Sequence, residues 1–149
     1  MKNIKGTKLD TLEGTTEKLG DLLYHEGPLL SLFVNSDDSN SYYLYKWTDC
    51  DETVNRWLVV QLSSNELKKF FDKKKSLRAI FQTNPKLYLV DIDNQVAVKR
   101  VQSCPATALP EAYLPRKDSM FVEETFTEFA DEFRLFLTDT GKKKVVKLV

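Results

Sequence analysis

The amino-acid sequence predicts an α+β fold: a mostly antiparallel sheet of about five or six strands, with short helices and a C-terminal amphipathic helix covering one face. Two observations support this prediction. Three segments in the first half of the chain are rich in β-branched and aromatic residues and are separated by turn residues, which is typical of an antiparallel meander. Two helical segments then follow one another directly, so the chain lacks the strand–helix alternation of a parallel sheet.

The chain has 149 residues, 42% of them hydrophobic, which is enough apolar material for one domain with a single core. Residues 1–18 are polar and predict a leader that stays outside the core, residues 19–141 form the domain, and residues 142–149 form a basic tail. No apolar run has the length of a signal peptide or a membrane span. We therefore expect a cytoplasmic protein without a membrane partner.

The first strands are predicted to form successive hairpins. A short strand covers residues 22–25, although the leucines around it also fit a helical turn. The Glu-Gly-Pro turn at 26–28 separates it from a strand over 29–34. Six turn-forming residues, 35–40, then precede an aromatic strand over 42–47, which predicts a hairpin with a polar tip.

The next strand, over residues 56–62, completes the meander because its side chains alternate between two faces. Trp47 and Trp57 lie on consecutive strands among apolar neighbours, so we expect at least one of them to be largely buried. Ser63 followed by Glu66 matches a capping box and predicts the start of a helix.

Helical spacing then continues in two short segments. The apolar residues of the first helix are expected to point inward, and those of the second repeat the same spacing before Pro85 ends it. They are Leu67, Phe70 and Phe71 in the first helix and Leu77, Ile80 and Phe81 in the second.

A second hairpin is predicted from β-rich segments over 87–92 and 96–101, and prolines at 105, 110 and 115 predict a surface loop after it. A final helix of about four turns is predicted from apolar residues spaced three and four apart. This stripe consists of Val122, Phe126, Phe129, Phe133 and Phe136, and Gly141 is the expected end of the helix.

The sequence contains no motif for a cofactor or a reactive nucleophile. Its five glycines are dispersed and form neither a phosphate loop nor a dinucleotide fingerprint. His25 is the single histidine and lies beside a predicted turn, while Cys50 and Cys104 match neither a zinc site nor a redox dithiol. We therefore expect no catalytic residue, no metal and no cofactor. Because 22 basic residues balance 22 acidic ones, nucleic acid is not the expected partner.

Two alternatives rest on clusters of charge. A metal-dependent hydrolase or nuclease would use Asp49, Asp51, Asp91 and Asp93 as oxygen ligands of Mg²⁺, although aspartates in turns also bond nearby backbone groups. A nucleic-acid adaptor would use the basic group between Lys68 and Arg78, which a solvated helix face also explains.

The strongest charge asymmetry lies in residues 118–139, which contain seven acidic residues and the single base Arg134. An acidic amphipathic helix can bind a basic groove on a partner, and its apolar seam can equally cover the sheet of its own domain. The candidate partner-binding residues are the helix acids Glu124, Glu128, Asp131 and Glu132 and the hairpin tyrosines Tyr43 and Tyr45.

Several short motifs in residues 19–115 resemble an uncharacterised bacterial domain family. They read GPLL at 27–30, KWTD at 46–49, RWLVV at 56–60, LS at 62–63 and LRAIF at 77–81. The resemblance implies a bacterial or phage origin and a compact α+β module, but no reaction. It also suggests a defence, counter-defence or toxin–immunity setting.

Taken with the missing motifs, the acidic C-terminal segment predicts a non-enzymatic protein-binding module that acts as an accessory or inhibitory subunit. The expected partner is another protein, encoded in the same operon.

Overall fold

A single antiparallel sheet organises the chain, in a computed structural model that describes residues 8–9, 16–84, 87–95, 97–117 and 126–139. Seven strands pair in the order of the chain, and every pairing is antiparallel. They are β1 Lys8–Leu9, β2 Thr16–Tyr24, β3 Pro28–Asn35, β4 Asp38–Cys50, β5 Val54–Ser63, β6 Leu87–Asp93 and β7 Val98–Cys104. The predicted α+β class and antiparallel sheet are confirmed, with six long strands and the short β1.

The strands of the central hairpins are longer than their sequence predicted. Between β3 and β4 only Ser36 and Asp37 form the turn, and the Asn35 side chain accepts a hydrogen bond of 2.8 Å from the Asp37 amide. Asp38 pairs with Asn35, and the next β3–β4 pair is Tyr42 with Val34, so Ser39 and Asn40 lie in an irregular, exposed part of β4. Trp47 and Trp57 are register partners across β4 and β5.

The folded region begins earlier than the polar composition of residues 1–18 predicts. Strand β2 starts at Thr16, and both Thr16 and Lys18 are buried. The Lys18 ammonium lies 2.8 Å from the Asp21 carboxylate, which also accepts a hydrogen bond from Ser31. A buried cation is tolerated when it is paired in this way, so polar composition alone misplaces the boundary.

Three α-helices accompany the sheet: α1 Ser64–Phe71, α2 Leu77–Thr83 and α3 Glu128–Asp139. The capping box that begins α1 is confirmed, because Ser63 accepts from the Glu66 amide while the Glu66 carboxylate accepts from the Ser63 amide. Helix α2 starts at the cap Ser76. The proline-rich segment, residues 105–117, contains two 3₁₀ turns and no longer element.

The sheet carries a buried cluster on each face. The helices pack on one face, where apolar residues of α1, α2 and α3 meet those of the strands. The opposite face, which we call the second face, holds another fully buried cluster that includes Phe33, Tyr45 and Trp57. Trp57 is 1% exposed, which confirms that at least one tryptophan is buried. The helices thus cover one face, as expected, but the core extends to both.

Helix α3 is shorter than its apolar stripe predicts. It begins at Glu128, after Thr127, whose hydroxyl accepts from the Ala130 amide at 3.2 Å and donates to the Asp21 carbonyl at 2.5 Å. Phe129, Phe133 and Phe136 pack on the helical core cluster, and Phe126 does so from the residues before the helix. Ala130 and Leu137 are also buried, while Val122 and Gly141 lie outside the described residues.

A close approach between β2 and α3 makes Gly20 a sensitive position. A Cβ atom built on Gly20 would lie 2.7 Å from Cγ of Phe129, which is closer than van der Waals contact. We expect Gly20→Ala to lower the free energy of unfolding by about 1–3 kcal/mol, because overpacking outweighs the gain of about 0.5–1 kcal/mol normally seen when alanine replaces glycine in a strand.

Urea unfolding of the parent, the single variants Gly20→Ala and Phe129→Ala, and the double variant checks this prediction. Phe129→Ala removes the ring from Gly20, so adding Gly20→Ala to that variant should cost nothing or stabilise it. A stable Gly20→Ala single variant would show that α3 does not press on β2 as described.

Among the described residues, no helix is both long enough and apolar enough to cross a membrane.

Candidate functional site

The outward side of α3 presents an acidic stripe that ends in an apolar residue. Glu128, Asp131 and Glu132 are exposed, and Leu135 is 61% exposed, one of the large hydrophobic residues that the fold leaves on the surface. Their spacing of three and four places all of them on one side of the helix. We call these four residues the α3 stripe. The fourth predicted acid, Glu124, lies outside the described residues.

The α3 stripe is held in place by the opposite side of the helix. Ala130, Phe133 and Leu137 are buried against the helical core cluster, and the backbone amide of Thr127 donates to the Leu22 carbonyl of β2 at 3.0 Å. Within the described chain, none of the three stripe carboxylates forms an ion pair. Their charge is therefore not neutralised by the domain's own described cations. Glu128 and Asp131 lie in the first turn of α3, where the partial positive charge of the helix N-terminus stabilises a carboxylate.

The two hairpin tyrosines do not lie on a surface. Tyr43 and Tyr45 are fully buried in the second face, where the Tyr45 ring lies 4.3 Å from that of Phe33. Burial raises the pKa of Tyr45 far above its ordinary value. An aromatic strand looks like a recognition surface in sequence, but β4 is central in the sheet and both of its faces are covered. A partner cannot reach these rings in the folded domain.

Two of the four aspartates of the metal hypothesis organise their own turns. The Asp51 carboxylate accepts from the Thr53 and Val54 amides at 2.7 and 2.9 Å, and the first of these bonds is the main reason that the pKa of Asp51 is lowered. The Asp93 carboxylate accepts from the Gln95 and Ala97 amides, each at 2.9 Å. Both residues therefore have the local role that turn aspartates commonly have.

The other two aspartates belong to a network that crosses three strands. Arg56 on β5 donates to both carboxylate oxygens of Asp91 on β6, at 2.8 and 3.0 Å, and Asp91 is 7% exposed. This bond raises the pKa of Arg56 further above its usual range. The Tyr113 hydroxyl links Arg56, at 3.5 Å, to the Asp49 carboxylate on β4, at 3.2 Å.

The network explains why these acids lie near one another without forming a cation site. A bidentate arginine already satisfies Asp91, and a phenol satisfies Asp49. Over the described ranges, no three His, Cys, Asp or Glu residues are placed to hold one metal ion. The geometry gives no support to the metal-dependent hydrolase or nuclease.

Three of the six basic residues between Lys68 and Arg78 form ion pairs within the domain, whereas Lys69, Lys73 and Lys74 are exposed. Lys68 pairs with Asp72 at 2.7 Å, and Arg78 pairs with Glu111 at 2.6 Å. Phe70 and Phe71 are buried, which confirms that they point inward and removes them as platforms for stacked bases. The nucleic-acid adaptor therefore loses its stacking platforms, and the three exposed lysines that remain are equally explained as a solvated surface.

One lysine that no sequence pattern predicted as a site residue lines a cavity. Lys46 lies on β4 beside Leu30 and Leu58, on the helix-covered side of the sheet, and it lines an apolar cavity of about 350 Å³. The available signal was a charged residue within the aromatic run 42–47. That signal is weak, because lysine at a strand end is usually solvated.

Comparisons with protein-family models, curated proteins and solved structures found no match for this chain. The resemblance to the bacterial domain family, and the biological setting that it implies, stay predictions.

Proposed function

We propose that this protein is a non-enzymatic protein-binding module, an accessory or inhibitory subunit that binds a basic partner protein through the α3 stripe. The observation that supports the proposal is that three exposed carboxylates and the exposed Leu135 lie on the same side of one helix. Helices that bind in a groove present anchors at this spacing of three, four and seven residues.

The two kinds of side chain have different tasks in this interface. The carboxylates of Glu128, Asp131 and Glu132 attract a positively charged surface and speed the encounter, an effect that salt weakens. Leu135 supplies apolar area at the end of the stripe, where burial against the partner adds affinity that is insensitive to salt. We expect the partner to be encoded in the same operon.

The interface can be tested separately from the fold, because the buried side of α3 anchors the helix. The informative variant carries Glu128→Lys, Asp131→Lys and Glu132→Lys together. A matched control carries Glu17→Lys, Asp37→Lys and Glu52→Lys, three exposed acids outside the α3 stripe, which change the net charge by the same amount.

We expect the native host's partner to co-purify with the parent and with the control, and to be reduced at least tenfold with the α3 variant. Rising salt should weaken the parent's association more than that of the α3 variant, since fewer charges then contribute. Melting curves of all three proteins establish that they are folded. A neutralised variant, with glutamine and asparagine at the same positions, replaces the lysine variant if the reversed charges unfold the helix N-terminus.

Retention of the partner by the folded α3 variant at the parent's level would refute the proposal. The same holds if the control loses the partner equally, because net charge rather than the α3 stripe would then govern association.

A further inference from the structure

The cavity beside Lys46 lies where one end of the sheet meets α2 and the proline-rich segment. Its volume of about 350 Å³ is within the range of small-molecule sites, about 300–1,000 Å³. Most of its wall is apolar and comes from three separate parts of the chain. The leucines that line it are Leu23, Leu29, Leu30, Leu77 and Leu114.

Lys46 brings a positive charge into this apolar space. Its ammonium makes one hydrogen bond, to the Trp47 carbonyl at 3.4 Å, and it has no ion pair with any carboxylate among the described residues. Arg116 is the second cation of the wall, and no acidic residue is found in the described part of the lining. Burial lowers the pKa of Lys46, as expected for an ammonium whose lost hydration is not replaced. An anion beside it would offset this cost.

Hydrogen bonds of the proline-rich segment hold the wall of the cavity in place before any ligand binds. Arg78 donates from Nη1 to the Pro115 carbonyl and from Nη2 to Oε1 of Glu111, both at 2.9 Å. Tyr113, between these two residues, is hydrogen bonded to Asp49 on β4. The proline-rich segment is therefore held to α2 through Arg78 and to the sheet through Tyr113, and a ligand would not have to bear the entropic cost of ordering it.

A neighbouring cavity differs from the Lys46 cavity in the charge of its lining. It shares Leu29 and Trp47 with the first cavity and has a volume of about 510 Å³, but Glu26 and Asp51 contribute to its lining. Those carboxylates disfavour an anionic ligand, whereas the Lys46 cavity combines positive charge with apolar walls.

We propose that the Lys46 cavity binds a small amphiphilic anion, with a carboxylate or phosphate headgroup against the Lys46 ammonium and an apolar chain along the leucines. This site is distinct from the α3 stripe, so neither proposal depends on the other.

Amide chemical shifts of the intact protein test the site with three probes of equal chain length: octanoate and octyl phosphate below their micellar concentrations, and uncharged 1-octanol below its solubility limit. We expect saturable shifts centred on Leu29, Lys46 and Leu114 with at least one anion, and at least tenfold weaker binding of the alcohol. The tighter of the two anions identifies the headgroup. Absence of binding by both anions, shifts centred elsewhere, or equal binding of the alcohol would refute the proposal.

A charge-removing variant tests the role of the ammonium. Lys46→Met removes the charge but keeps an unbranched side chain of similar length, and it should weaken binding of the preferred anion at least tenfold while leaving that of 1-octanol unchanged or tighter. Lys69→Met, at an exposed position of α1, should bind as the parent does. Unchanged anion affinity in folded Lys46→Met would refute the proposal. If that variant does not fold, the comparison of anion with alcohol in the parent decides the question.

Discussion

Replacing Trp57 by alanine is expected to lower the free energy of unfolding by about 3–5 kcal/mol. Trp57 is 1% exposed and lies in the buried cluster of the second face, with its ring 6.4 Å from that of Tyr45. Strand β5 is central, paired with β4 on one side and β6 on the other, so the backbone cannot collapse freely into the space left by the indole. A domain of this size has about 5–15 kcal/mol of net stability, so the loss is a large share.

Urea unfolding followed by far-UV circular dichroism measures this change, and Trp47→Ala provides the matched control. Trp47 is the register partner of Trp57 but is only partly buried, and its indole N–H donates to the Asn55 side chain at 2.9 Å. We expect Trp47→Ala to cost clearly less than Trp57→Ala. If the two variants had the same free energy of unfolding, or if that of Trp47→Ala were lower, the second face would not be a rigid core.

Replacing Phe133 by alanine is expected to lower the free energy of unfolding by about 3–5 kcal/mol as well. Phe133 is 1% exposed and joins three elements, since its ring lies 5.7 Å from Tyr42 on β4, 6.1 Å from Phe71 on α1 and 5.8 Å from Phe129 on α3 itself. The loss combines removed apolar area, a residual cavity and aromatic pairs worth about 0.5–1.5 kcal/mol each.

The control for this variant lies two positions further along the same helix. Leu135 is 61% exposed, so Leu135→Ala should change the free energy of unfolding by no more than about 0.5 kcal/mol. The same substitution should weaken partner binding if the α3 stripe is an interface. Equal destabilisation by Phe133→Ala and Leu135→Ala would mean that α3 is not packed in this orientation, and the proposed interface would lose its basis.

Local signals in the sequence predicted the elements well, because the interactions that create them are local. The capping box of Ser63 and Glu66 marks the start of α1, since both of its hydrogen bonds join residues three positions apart. The prolines of residues 105–115 exclude a regular helix or a central strand, because proline lacks an N–H and restricts its own backbone. The two-residue alternation of residues 56–62 likewise predicted β5.

Predictions about sites depended on contacts that these signals do not contain. The alternation of side chains separates the two faces of a strand but does not show whether both faces are covered. The aromatic β4 was therefore predicted to present a binding surface, whereas Tyr43 and Tyr45 are buried. The pairing of Arg56 with Asp91 joins positions 35 apart, and that of Asp49 with Tyr113 joins positions 64 apart. The first pair follows from the register of β5 against β6, and the second follows from the position of the proline-rich segment beside β4. No local pattern specifies either of them.

The sequence by itself determined the α+β class, the meander and the amphipathic character of the last helix, because residue spacing sets which side chains share a face. Only the tertiary structure decided which charges remain available. It neutralises Asp91 with Arg56 and Arg78 with Glu111, leaves the acids of α3 exposed, and places Lys46 in an apolar cavity. The physical reason is that the chemistry of a charged group depends on its hydration and its nearest opposite charge, and folding sets both.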